Sequence, residues 1–181
     1  MEHPGELWQE YDFNGERIGN GLVPGECYKT SFKLAGGAAV MLYRVRDKEI
    51  EFLFQHRSKS LRGNPDKWDV SAGGHINVGE SKLDTMVRET REEIGISLDR
   101  SKLEFSDTYI RGDILINLYF YDWTDKEDSF SFDDKEVEEV LWVKEDDLET
   151  FWPKLKPQIL DDEVFAAAMK YKIQQLKKSW K

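Results

Sequence analysis

The stretch from Gly74 to Ile96, GHINVGESKLDTMVRETREEIGI, constrains this chain more than any other. Its pattern predicts a loop running into a helix. Gly79-Glu80-Ser81 suits the entry, where acidic and hydroxyl side chains are favoured. Gly95 suits the exit, because glycine readily takes the left-handed conformation that ends helices. Between them lies Arg88-Glu89-Thr90-Arg91-Glu92-Glu93. Residues three and four apart share a helix face, so Glu89, Glu92 and Glu93 are expected to converge. Crowded carboxylates repel one another unless a cation lies between them, and a hard divalent ion with oxygen ligands is the natural counter-charge. Arg88, four residues before Glu92, is placed to hold one carboxylate. A solvated helix rich in Glu and Arg is the competing reading of the glutamate pair.

Composition narrows the class. With 39% apolar residues and 13% aromatics, a chain of 181 residues can bury one substantial core. A net charge of −10 disfavours nonspecific binding to a nucleic acid polymer or an anionic membrane. The lone cysteine, Cys27, excludes an internal disulfide and suits a reducing compartment. No neighbouring histidine or basic group activates it as a nucleophile. The N-terminal MEHPGELWQEY has no signal-peptide core, and no run of about 20 apolar residues follows. The expected location is cytoplasmic.

The rest of the chain alternates strand and helix signals. Residues 7–19 read as a β-hairpin turning at Asn14-Gly15. Two units are expected: an N-terminal hairpin extension over residues 1–30, with a Gly/Pro loop over 20–30, and a domain over 31–181 that includes the C-terminal helix. Residues 33–45 predict a buried strand. Residues 49–57 alternate, with Ile50, Phe52 and Phe54 on one face. A basic loop over 58–67 follows, and Arg57 and Lys59 at its edge could meet phosphates. Trp68 to Ala72 predicts a short strand delivering Gly73-Gly74 into a loop. Strands are expected over 102–111, 114–123 and 137–143, with an acidic surface loop over 124–136 and a short helix over 145–151. A closing helix over about 159–178 carries the stripe Leu160, Val164, Phe165, Ala168, Met169, Ile173 and Leu176, a core-docking or a dimer face. The sum is an α/β mixed sheet between helices.

Gly74, Glu80, Arg88-Glu89, Glu92-Glu93, Gly95 and Ile96, at their fixed spacing, resemble the Nudix box. One departure is Thr90, where an aliphatic residue is usual. The resemblance implies the α/β/α Nudix fold and a hydrolase that cleaves a diphosphate bond in a nucleoside diphosphate derivative with Mg²⁺ or Mn²⁺. It implies Glu89 and Glu93 as principal metal ligands, with Glu92 joining or orienting them and the Gly74 carbonyl completing the set. Glu80 and Arg88 would tie loop to helix. The general base lies outside the box. Glu136, Glu138 and Glu139 are the candidates, and Glu138 is favoured. The partner is a small-molecule diphosphate, and the N-terminal hairpin is an element on which a homodimer could form.

A finer likeness spans residues 7–143, through Gln55-His56-Arg57-Ser58 and Trp68-Asp69-Val70-Ser71-Ala72-Gly73-Gly74-His75. It resembles the Nudix subgroup similar to isopentenyl-diphosphate isomerase. That isomerase needs a cysteine where Gly73 stands, and glycine cannot relay a proton. His75 beside Gly74 could touch metal or phosphate, or simply cap the loop. A ligand-binding module without turnover is a third reading, against which the full set of glutamates argues. Specificity is expected in the loops 58–67 and 124–136, with Trp68, Tyr119 and Tyr121 available to stack on a base.

Overall fold

A computed structural model describes residues 7–22, 33–133 and 135–180. The loop expected beyond Leu22, with Cys27, lies outside the described residues. The hairpin forms as β1 (Trp8–Tyr11) and β2 (Arg17–Leu22), three residues longer than the sequence suggested. Its turn is fixed by Asp12, whose carboxylate accepts the amides of Asn14 and Glu16, each at 2.9 Å.

The organising strand is β3 (Leu34–Arg46), thirteen residues long and buried on both faces. One edge pairs in parallel with β8 (Ile114–Asp122), which carries β7 (Glu104–Arg111) beyond it. The other edge pairs in turn with β1, β6 (Ala72–His75) and β4 (Glu49–Arg57). The strands β5 (Trp68–Asp69) and β9 (Val137–Lys144) pair with β4. The N-terminal hairpin is thus hydrogen-bonded into the same sheet as the rest of the chain.

Two departures from expectation matter for the site. The strand expected over Trp68 to Ala72 breaks at Val70-Ser71, because the buried Ser71 hydroxyl donates to the Leu53 carbonyl at 2.6 Å and accepts the Leu42 amide at 2.8 Å. Gly73, Gly74 and His75 then lie in β6 itself rather than in a loop. The closing helix is also broken, into α3 (Pro157–Leu160) and α4 (Glu163–Lys178), because Asp162 caps the Phe165 amide at 2.9 Å and starts a new helix.

Helices cover both faces of the sheet. Val40, Leu42, Leu53 and Ile76 pack under α1 (Lys82–Ile94) through Met86 and Ile94. The alternate residues Met41, Tyr43, Phe52 and Phe54 pack under α4 and under α2 (Leu148–Phe151). Alternation along β3 and β4 therefore feeds two cores. On α4, Phe165, Ala168 and Met169 are buried as the stripe predicts, but Val164 faces solvent. Lys172 joins the buried face instead, its ammonium 2.7 Å from Glu104 and 4.6 Å above the Tyr43 ring.

The helix α1 begins as its sequence dictates. Ser81 Oγ accepts the Asp84 amide at 3.1 Å, and Gly95 closes the helix at φ 73°. Thr90 is fully buried, and its hydroxyl donates to the Met86 carbonyl at 2.8 Å. That carbonyl already has a helical partner, so removing the hydroxyl orphans nothing. Thr90→Val is expected to be neutral or to stabilise by up to about 1 kcal/mol in urea unfolding. A loss of more than about 1 kcal/mol would show that the hydroxyl is required.

Candidate active site

The face of α1 that carries the glutamates lies against β6. Gly74 makes this approach possible: a side chain there would collide with the Glu89 carboxylate. Glu93 is buried below, and its Oε2 accepts the Gly73 amide at 2.9 Å and Gln55 Nε2 at 3.2 Å. Burial, and then repulsion from Glu89, holds the Glu93 carboxyl well above the usual range, against the pull of the Gly73 amide. Burial likewise pushes Glu89 up to about 7, although Arg88 opposes it.

Arg88 is the hub of the network. It donates to Glu80 from Nε at 2.9 Å and from Nη2 at 3.0 Å, and to the His75 carbonyl at 3.1 Å. Its Nη1 meets Glu89 at 2.8 Å and Glu92 at 3.0 Å. Burial would raise Glu80, but Arg88, the Thr85 hydroxyl and the Asn77 amide outweigh it and hold that carboxyl below its usual value. Loop and helix are therefore joined by charge, with Glu80 and Arg88 as the clasp.

The three glutamates do not meet at one point. Among the described residues, no three His, Cys, Asp or Glu side chains are gathered to hold a metal ion as they stand. The reason is Arg88, which draws the half-exposed Glu92 to the rim while Glu93 stays beneath β6. The half-buried Glu89 and the buried Glu93 remain together beside the Gly73-Gly74 backbone. Their oxygen-only chemistry and mutual repulsion fit a hard divalent cation.

These groups form one wall of a cavity of about 600 Å³. The lining also includes residues that the sequence pattern did not single out: Asp69, Tyr109, Arg111 and Lys156. Lys156 Nζ lies 2.5 Å from Asp69, and Arg57 Nη1 lies 3.5 Å from the same carboxylate oxygen. Trp8 closes one side by stacking on His75, with ring centroids 3.5 Å apart and planes 4° from parallel. Burial, with Lys156 and Arg88 nearby, pushes His75 down to about 4, so it is neutral at pH 7.

Not every expected residue reaches this cavity. Arg57, Gly74, His75, Glu89, Glu92 and Glu93 line it. Lys59 does not; it is exposed and lies 3.9 Å from Asp66. Glu138, the favoured base, also lies outside the lining. A register shift where β9 meets Arg57 turns it to accept the Lys59 amide at 3.0 Å, which simple alternation does not foresee. Glu136 is the carboxylate of that segment that lines the cavity. Among the described residues it is also the sole lining residue from the loop 124–136, which is pinned elsewhere as Asp128 accepts Arg44 Nη1 at 2.8 Å. Tyr119 and Tyr121 are core residues, and Trp68 packs on His56.

This fold agrees with comparisons to known proteins. A NUDIX domain model matches residues 35–165. A Nudix hydrolase of Listeria innocua is 30% identical over 147 residues, covering 80% of this chain and 77% of that protein. The chain belongs to the Nudix family, and its class is that of the Nudix pyrophosphohydrolases. A solved Deinococcus radiodurans protein superposes with a TM-score of 0.67 at 16% identity, over 91% of this chain and 98% of that one. The NUDIX domain of Shewanella oneidensis NrtR, solved with ADP ribose, gives a TM-score of 0.57 at 17% identity, over 76% of this chain and 88% of that one.

The buried acid pair gives a stability signature. Glu89 shifts from 4.5 to about 7 on folding, and Glu93 shifts in the same direction. The folded chain therefore holds extra protons between those values, and stability falls as pH rises through that window. In EDTA, Tm is expected to drop from about pH 5 to about pH 8 by roughly 4–8 °C, on the order of 2 kcal/mol. Glu89→Gln should flatten that slope. A Tm that is level or rising across the window in wild type would contradict the assignment.

Proposed function

We propose that this protein hydrolyses the diphosphate bond of a nucleoside diphosphate derivative or related small molecule, with Mg²⁺ or Mn²⁺. The observation that carries this reading is the adjacent pair of carboxylates, the half-buried Glu89 and the buried Glu93, in a cavity also lined by Arg57, Arg111 and Lys156. Glu89, Glu93 and the Gly74 carbonyl are the oxygens that would hold the ion, with Glu92 at the rim joining or orienting them. Once bound, the metal neutralises phosphate charge and lowers the pKa of an attacking water.

The chain's own groups do the rest. Arg88 and Glu80 fix the loop to the helix, so the ligand oxygens keep their positions. Glu136, on the cavity wall, takes the proton of the attacking water. Glu138 keeps its contact with the Lys59 amide and supports the neighbouring loop. Arg57 and the neutral His75 face the substrate from the wall. ADP ribose, the ligand of the NrtR domain, is the first compound for a substrate panel.

The test is release of phosphate or nucleotide products from a panel of diphosphates with Mg²⁺ or Mn²⁺. Glu93→Gln is expected to fold yet lose roughly 100-fold or more in turnover. Glu136→Gln should lose about 10²- to 10⁴-fold, and Glu138→Gln only a few-fold. Near-wild-type turnover in Glu93→Gln would remove the metal assignment. Tight ligand binding without turnover in wild type would leave a binding module.

A further inference from the structure

The basic wall of the cavity is held ready by the chain itself. The Lys156 amide donates to the Trp68 carbonyl at 2.9 Å, and Pro157 behind it favours the extended backbone seen at φ −60°, ψ 147°. Its side chain is thereby delivered into the cavity beside Asp69. One Asp69 oxygen serves both Lys156, at 2.5 Å, and Arg57, at 3.5 Å, while the other accepts the Val70 amide at 2.8 Å. Arg111 adds a third cation to the wall, 3.5 Å from Asp162 and 3.1 Å from the Gln158 carbonyl.

These cations crowd one another. Burial pushes the Lys156 ammonium down, Asp69 holds it up, and Arg111 and Arg57 press it down again. Arg57 Nε is a buried donor with no hydrogen-bond partner among the described residues. A diphosphate carries two anionic groups, and the acid pair with its cation accounts for one of them. The other needs donors that do not depend on metal.

We propose that Lys156, with Arg57 beside it, forms a phosphate-binding subsite for the phosphoryl group that the Glu89–Glu93 side does not hold, with Asp69 positioning the ammonium. This rests on the diphosphate reading above. It gives the substrate a direction: one phosphoryl group lies toward α1, and the other toward the Asp69–Lys156 ion pair. Arg57 strengthens the contact through its free Nε.

The test is isothermal titration of inorganic pyrophosphate into wild type and Lys156→Met, both in EDTA. Wild type should bind, with affinity that weakens as salt rises. Lys156→Met should bind about 10- to 100-fold more weakly, as expected for a lost charge-assisted hydrogen bond. Asp69→Asn frees the ammonium and should bind as tightly as wild type or tighter. A purely structural Lys156–Asp69 strut would lower the Tm of both variants and leave the pyrophosphate affinity of the folded protein unchanged. Equal affinity in Lys156→Met, or no metal-free binding by wild type, overturns the subsite. Should Lys156→Met fail to fold, Lys156→Gln decides: binding weakened relative to wild type supports the subsite, and equal binding overturns it. Because these titrations need no turnover, an inactive wild type that binds through Lys156 would sink the hydrolase reading and keep the subsite.

Discussion

The site depends on carboxylates pressed against a strand at the one residue, Gly74, where a side chain would collide with them. Gly74 lets α1 approach β6 closely, and Glu93 hydrogen-bonds the strand's own Gly73 amide. Uncompensated buried charge costs several kcal/mol. Arg88 balances Glu80, Glu89 and Glu92, yet among the described residues the hydrogen bonds to Glu93 come from two neutral donors, Gly73 and Gln55. The shortfall is what a divalent cation would repair, and the chain leaves it where β6 presents a backbone carbonyl.

The fold supplies the rest of the geometry. Because β3 pairs in succession with β1, β6 and β4 along one edge, Trp8, the glycine strand and Arg57 are brought around a common space. Packing of α3 and α4 on the opposite face carries Lys156 and Arg111's partner Asp162 to the same mouth. Carboxylates and cations therefore line one cavity together, although the chain as a whole is strongly acidic.

What could be read from the sequence was local. The helix α1, its Ser81 and Gly95 caps, the Arg88–Glu92 pair and the two faces of β4 follow from spacing, and the Glu80–Arg88 clasp from the resemblance to the Nudix box. The failures share one cause, a tertiary contact that overrides a pattern. Ser71 breaks a predicted strand by bonding two neighbouring strands, and a register shift turns Glu138 away. Lys156 and Trp8 join the cavity from segments far apart in the chain, and no local pattern places them together.

The most direct measurement is an anomalous difference map from crystals grown with Mn²⁺. The account predicts a single strong peak bonded at about 2 Å to oxygens of Glu89 and Glu93 and to the Gly74 carbonyl. No peak there at millimolar metal, with Arg88 still the sole positive partner of Glu89, would contradict it.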